Sequence, residues 1–300
     1  MPELPEVETI ARQLRELVVD RTISEFTSSW VRLTDPVPAE HVAARLRGRR
    51  IVDVRRRGKF VVFDLDGGDA LVVSLRMTGK LLFGVGGVDE RHVRGEIAFT
   101  DGARLRFSDT RKFGRMAVVD AAVLEGIAEE RSAKRPLHAS LGQEPLARAF
   151  TVEWLRALLR RRARAAVKPL LLDQRAIAGI GNIYAIEALW RARVHPLRTA
   201  GSLRVDEIAR LHEAIRWALK KGIRLGGASR SDYVDARGNR GRMQREFQVY
   251  GRAGEPCPRC GRGIVRTVVG GRGTFHCPNC QRAPRGERAR RPARPARLKR

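Results

Sequence analysis

Apolar residues near the start of the chain recur at three- and four-residue steps: Val7, Ile10, Ala11, Leu14, Leu17 and Val18. That spacing predicts one helix with a single apolar face. Pro5 is tolerated in its first turn, and Glu3, Glu6 and Glu8 stand where the helix dipole favours negative charge. From about residue 22 to 119 the pattern shortens to strands, for example 51–57, 59–65, 70–76, 94–99 and 104–108. Asp66-Gly67-Gly68-Asp69 and Asp101-Gly102 mark turns between them, and a short helix at 39–46 follows Pro38. Regularly spaced strands predict a β-sandwich or barrel.

From about 120 to 225 the period is helical again. Trp154, Leu155, Leu158 and Leu159 mark one helix; Ile208, Leu211, Ile215, Ala218 and Leu219 mark another, expected to stop at Gly222. Residues 226–245 are polar, with little core content expected. Residues 261–276 read as a β-hairpin turning at 270–273, and the Arg- and Pro-rich end from 284 is expected to be disordered. The fold class expected is α+β and multidomain. An N-terminal β-sandwich with its helix covers 1–125, a helical domain with loop 226–245 covers 126–245, a zinc ribbon read from the paired cysteines Cys257/Cys260 and Cys277/Cys280 covers 246–283, and a basic tail covers 284–300.

Charge narrows the function. Lys and Arg number 60 against 33 acidic residues, a net charge of +27. So large an excess of one sign predicts a polyanionic partner, most simply nucleic acid. An anionic membrane surface fits less well, because no basic helix with a strong apolar face stands out. No run of about 18 apolar residues exists, so no membrane partner is expected. The acidic start has no apolar signal region, so a cytoplasmic protein is expected.

Candidate chemistry lies at both ends. Removal of Met1 leaves a secondary amine on Pro2 with the Glu3 carboxylate beside it. Amines attack aldehydes and sugar C1 atoms, and an α-amine, with a reference pKa of about 8, is more often unprotonated than Lys. Read locally, the same residues merely open a helix. A helix pinned by its apolar face would hold the amine still where most termini fray. Lys59 follows Gly58 at a tight bend; read locally, it is also an edge-strand lysine. Met77 and Phe113 sit among cations in loop-like stretches, and pattern alone leaves them between core and surface. Gly179 and Gly181 precede Asn182, expected to cap a helix whose N–H groups form a phosphate site, with Arg160–Arg164 upstream. Cys257-Pro258-Arg259-Cys260 and Cys277-Pro278-Asn279-Cys280, 16 residues apart, point to one structural zinc ion. Arg272 at the hairpin tip is placed to meet a phosphate.

These pieces together resemble the bacterial formamidopyrimidine-DNA glycosylases of the helix–two-turn–helix repair family. The specific matches are Pro2-Glu3-Leu4-Pro5-Glu6-Val7-Glu8, Arg57-Gly58-Lys59, Met77-Thr78-Gly79, Arg111-Lys112-Phe113-Gly114, Gly181-Asn182-Ile183-Tyr184-Ala185, Gln248-Val249-Tyr250-Gly251-Arg252 and the four cysteines. The resemblance runs from Pro2 to Cys280.

It implies a helix–two-turn–helix middle domain and excision of 8-oxoguanine and formamidopyrimidines, followed by β- and δ-elimination. It assigns Pro2 as nucleophile, Glu3 as general acid/base, Lys59 to proton transfer in β-elimination and Arg272 to δ-elimination. Met77, Arg111 and Phe113 would form the wedge that fills the space left by the flipped nucleotide. His92, Arg111 and Arg164 match DNA-contact positions, and Lys168 and Asn182 would touch the backbone near the lesion. The expected partner is damaged double-stranded DNA bound by a monomer, which associates with the nucleoid only through that DNA. The chain has Ser74-Leu75-Arg76-Met77-Thr78-Gly79 where the family often has His-Leu-Gly-Met-Ser-Gly, and Thr110-Arg111-Lys112 where it often has Pro-Arg-Arg. Two other readings are an endonuclease VIII-like enzyme for oxidised pyrimidines, against which Leu4 stands, and a non-catalytic zinc-dependent DNA-binding protein.

Overall fold

The structure is a computed structural model that describes residues 1–124 and 141–284. Most of the expected tail lies outside the described residues. The chain forms two compact units, Met1–Glu144 with Leu219–Glu246, and Pro145–Ala218 with Phe247–Arg300. This division differs from the one read from sequence, because 219–246 belongs with the N-terminal strands.

The first unit is a β-sandwich. One sheet has the order β1 (Ile23–Ser28), β6 (Val93–Phe99), β7 (Arg104–Ser108), β5 (Lys80–Phe83). The other has the order β2 (Ile51–Arg57), β3 (Phe60–Leu65), β4 (Asp69–Ser74), β8 (Arg115–Asp120). All pairings are antiparallel. Period-two alternation decides the faces. Val61, Phe63 and Leu65 join Phe26, Ile97, Phe99 and Phe107 in the core between the sheets. Phe60, Val62, Ala70 and Val72 form a smaller cluster on the opposite face.

Helix α1 (Leu4–Val18) buries Val7, Ile10, Leu14 and Val18 in the main core, as its spacing predicts. α2 (Ala39–Leu46) anchors through Val42 and Leu46. A short α3 (Ala121–Leu124) follows β8. The segment 226–245 contradicts the expectation of little core content: Tyr233 and Ala236 are members of the α1–sandwich core, and Met243 is fully buried. A single aromatic among polar neighbours carries no periodic signal, which is why the pattern missed it.

The second unit contains α4 (Val152–Arg161), α5 (Val167–Leu172), α6 (Asn182–Ala192) and the start of α7 (Val205–Arg224). The hairpin of β9 (Val265–Val269) and β10 (Arg272–His276) completes it. Thr151 caps α4, accepting the Trp154 N–H at 3.1 Å. α7 passes Gly222 and ends at Arg224, just before Gly226-Gly227, both at positive φ (70° and 83°). One glycine weakens a helix interior, whereas a left-handed pair ends it.

Candidate active site

The register of the second sheet assembles the site. Arg57 pairs with Phe60, Phe60 with Ser74, and Ser74 with Arg115. The turn carrying Lys59, the turn carrying Met77 and the loop carrying Arg111 and Phe113 therefore leave one rim of one sheet. Neighbouring strands are about 4.8 Å apart, so those three turns span roughly 10 Å.

α1 brings the N-terminus to the same rim. Arg15 pairs with Asp53 at 2.6 Å and Glu8 with Arg56 at 2.8 Å, so α1 runs antiparallel to β2. Pro2 and Glu3 precede Glu8 by about a turn and a half, roughly 9 Å of rise, which carries them past Arg56 toward Gly58 and Lys59. Pro2 and Glu3 are both buried, while Met1 is exposed. Glu3 is the N-cap, and its N–H donates to Glu6 Oε2 at 2.8 Å. This satisfies one of the orphan donors of a helix start.

The Lys59 bend is shaped by a carboxylate that sequence reasoning missed. Gly58 takes positive φ (57°), and its N–H donates to Glu144 Oε1 at 2.6 Å. Arg56 Nη1 and Arg57 Nη1 donate to the same oxygen at 3.0 and 3.1 Å. Arg56 also donates through Nε to Glu8 Oε2 at 2.8 Å and through Nη1 to the Gly58 carbonyl at 3.0 Å. Burial pushes the Glu8 carboxyl up, but the Arg56 guanidinium, with Arg12, outweighs it and holds the group below its ordinary value. Glu144 stands beside a stretch with no readable pattern, so it gave no signal.

Glu6 performs a second junction. Its Oε1 accepts the Ala228 N–H at 2.7 Å, so the helix start is tied to the 226–245 segment. The Tyr233 hydroxyl donates to the Gly226 carbonyl at 3.1 Å and the Glu6 carbonyl at 3.4 Å. Burial, then the charge of Glu6, raises the Tyr233 phenol far above its ordinary value, so it stays a neutral donor.

Met77 and Phe113, left undecided by pattern, are 40% and 46% exposed, which removes them from the core. The Arg111 guanidinium lies 4.8 Å from the Phe113 ring centroid. His92 is half-buried, and its carbonyl accepts the Asp109 N–H at 2.8 Å. Lys80 opens β5 and pairs with Ser108.

The other expected residues lie in the second unit. Gln174 shapes the Gly-rich turn: its Nε2 donates to the Leu172 and Ile180 carbonyls at 2.9 and 2.8 Å, and its Oε1 accepts the Gly179 N–H at 2.9 Å. Gly181, not Asn182, is the N-cap of α6. Asn182 instead donates through Nδ2 to the Gly273 carbonyl of β10 at 3.0 Å, with its buried Oδ1 unpartnered. Lys168, expected at the DNA backbone, is fully buried with Nζ 3.5 Å from the Val269 carbonyl of β9. Both residues thus brace the hairpin on α5 and α6. Arg164 and Arg272 are exposed, and Arg272 opens β10 just after the Gly270-Gly271 turn.

Sγ atoms of Cys257, Cys260, Cys277 and Cys280 all lie within 4.8 Å of one another. Tetrahedral thiolates about 2.3 Å from zinc stand roughly 3.8 Å apart, so the set fits one closed structural zinc site. Trp190 Nε1 donates to Cys257 Sγ at 3.4 Å, the outer hydrogen bond that orients a ligand. Ile186 and Trp190 of α6 cover the knuckles with Val249 and Ile264.

The sequence model of the formamidopyrimidine-DNA glycosylase N-terminal domain matches residues 1–116. That of the formamidopyrimidine-DNA glycosylase H2TH domain matches 141–234, and that of the zinc finger found in FPG and IleRS matches 254–283. The formamidopyrimidine-DNA glycosylase of Roseiflexus sp. is 45% identical over 284 residues, covering 94% of this chain and all of that protein. The one of Chloroflexus aggregans is 48% identical, covering 94% and 98%. The crystal structure of the MutM (Fpg) protein of Thermus thermophilus superimposes with a TM-score of 0.81 at 43% identity, covering 93% and 98%. A Lactococcus lactis Fpg variant in complex with DNA containing Fapy-dG superimposes at 0.84 with 36% identity, covering 94% and 100%. With the two-sheet fold, the helical unit and the four-cysteine ribbon all matched along one chain, the protein belongs to the formamidopyrimidine-DNA glycosylase family.

Proposed function

We propose that this chain excises oxidised purines from double-stranded DNA through Pro2 and then cuts the strand by β,δ-elimination. The observation that carries the reading is the common rim: a buried, hydrogen-bonded helix start and the Lys59 bend meet beside two exposed apolar side chains and a guanidinium. A non-catalytic DNA-binding protein has no use for a buried N-terminus held this way.

With Met1 removed, the Pro2 nitrogen attacks C1′, and the C1′–base bond breaks with its electron pair leaving on the base. Glu3 exchanges a proton with the sugar ring oxygen as the ring opens, leaving an iminium between Pro2 and C1′. A secondary amine makes that iminium permanently cationic, which acidifies the C2′ proton. Lys59 takes part in the proton transfer as the C3′–oxygen bond breaks and the 3′ phosphate leaves. Loss of the 5′ phosphate follows with Arg272 stabilising the developing charge, and water then releases Pro2. Met77, Arg111 and Phe113 fill the space left by the flipped nucleotide. Arg164, His92 and the α6 N-terminus meet phosphates. Lys168 and Asn182 act through the hairpin that they brace. The zinc ion is structural, holding that hairpin and performing no step.

Borohydride trapping on an 8-oxoguanine duplex tests the reading. A covalent adduct is expected with the mature protein, reduced at least about tenfold in Pro2→Gly, as for loss of an activated nucleophile. No adduct with a protein shown by mass to lack Met1 would sink the proposal. Faster release of thymine glycol than of 8-oxoguanine would move the enzyme to oxidised pyrimidines.

A further inference from the structure

The Asp109 side chain touches no solvent, yet it lies directly beneath the three exposed wedge residues. Its Oδ1 accepts the Thr78 hydroxyl at 2.5 Å and the Arg111 N–H at 3.1 Å. Its Oδ2 accepts the Phe113 and Gly114 N–H groups at 2.8 Å each. The main chain adds a third loop: Asp109 N–H donates to the His92 carbonyl at 2.8 Å, and Arg94 Nε donates to the Asp109 carbonyl at 3.0 Å. The carboxylate therefore joins the Met77 turn to the Arg111–Phe113 loop, and the Asp109 main chain ties both to the His92 segment.

The surrounding backbone needs such a clamp. Arg76 and Lys112, neither of them glycine, adopt positive φ of 51° and 57° beside Met77 and Phe113. Strained residues of this kind persist when neighbouring structure over-determines them. At Gly79 an added Cβ would stand 2.5 Å from the Leu75 carbonyl, so the turn is closely packed as well. An ionised carboxylate has only acceptors, which matches four donors without conflict.

We infer that Asp109 is a positioning residue for base extrusion, locking Met77, Arg111 and Phe113 into one rigid wedge before DNA arrives. It touches no reacting atom. Its effect falls on the step in which the duplex is unstacked, and the bond-breaking steps at Pro2 proceed without it. The inference rests on the proposed glycosylase reading and adds the residue that sets the wedge.

The experiment compares two substrates in single-turnover assays: an intact 8-oxoguanine duplex, which must be unstacked, and a single-stranded abasic oligonucleotide, which need not be. In Asp109→Asn an amide N–H₂ faces a backbone donor in either orientation. Excision from the duplex is expected to fall at least about tenfold, of the order of the cost of extruding a base. Cleavage of the abasic strand should stay within about twofold of the unaltered protein. A 2-aminopurine opposite the lesion should brighten more slowly with the variant. Thr78→Val removes one donor and should show the same split more weakly, while Thr78→Ser restores duplex activity; this pair decides the matter if Asp109→Asn does not fold. Equal loss on both substrates, or unchanged duplex excision, would overturn the inference. An unaltered protein that leaves the abasic strand intact would instead overturn the glycosylase reading itself.

Discussion

Glu6 Oε1 accepts the Ala228 N–H at 2.7 Å across 222 positions of sequence. The other oxygen accepts the Glu3 N–H at 2.8 Å, so one buried carboxylate holds both the N-terminal helix start and the 226–245 segment. In Glu6→Gln an amide N–H₂ would face one of these donors. A buried unsatisfied donor costs about 1–3 kcal/mol, and a drop of that size in chemical-denaturation stability is expected. Amide exchange at Glu3 and Ala228 should accelerate together. Acceleration at only one of them would show that the carboxylate does not couple the two.

Glu144 sets the bend that presents Lys59. Its Oε1 accepts the Gly58 N–H and two guanidinium groups, so Glu144→Ala should loosen that turn. The expected signature is a slower β-elimination, by roughly ten- to a hundredfold, with base release less affected. Separate rates for base loss and strand cleavage check it; equal loss in both would point to general unfolding of the rim.

The Glu8–Arg56 pair predicts an acid dependence. The Glu8 pKa is lowered in the folded protein, so the stability it contributes is complete above its unfolded value of about 4.3 and is lost as pH falls through the folded value. Between about pH 6 and about pH 3.5 the unaltered protein should lose more thermal stability than Glu8→Gln, by on the order of 1 kcal/mol. Parallel pH curves for the two proteins would refute the assignment.

The four thiols predict one zinc ion per chain. Chelation should unfold the β9–β10 hairpin, because a ribbon this small lacks a sufficient core without metal. Amides of 265–276 should lose exchange protection, and DNA affinity should fall, while β3 and β4 remain protected. Metal analysis gives the stoichiometry, and retained protection of the hairpin after complete zinc loss would count against the structural role.

Much of the fold was legible in the sequence for simple reasons. Apolar spacing at three and four residues located α1, and alternation located β2, β3 and β7 to within a residue or so. The paired cysteines announced a metal site by chemistry alone. The expected cap at Asn182 failed because a side-chain type names what a residue can bond, and the nearby Gly273 carbonyl decided what it does bond. The 226–245 segment failed for a similar reason: Tyr233 and Ala236 find their apolar partners in α1 and the sandwich, far away in sequence.

Local pattern, composition and motif by themselves determined that this chain has an amphipathic N-terminal helix, a large excess of positive charge, strands, helices and a zinc ribbon. These properties depend on neighbours within a few residues or on summed charge. Only the tertiary structure decided that Lys59, Met77, Arg111 and Phe113 share a rim with Pro2, and that Asp109, Glu144 and Glu6 hold them there. Antiparallel register sets which turns emerge side by side, and buried carboxylates take their meaning from the donors that surround them. Both are settled by pairing across long stretches of chain, where no local periodicity carries information.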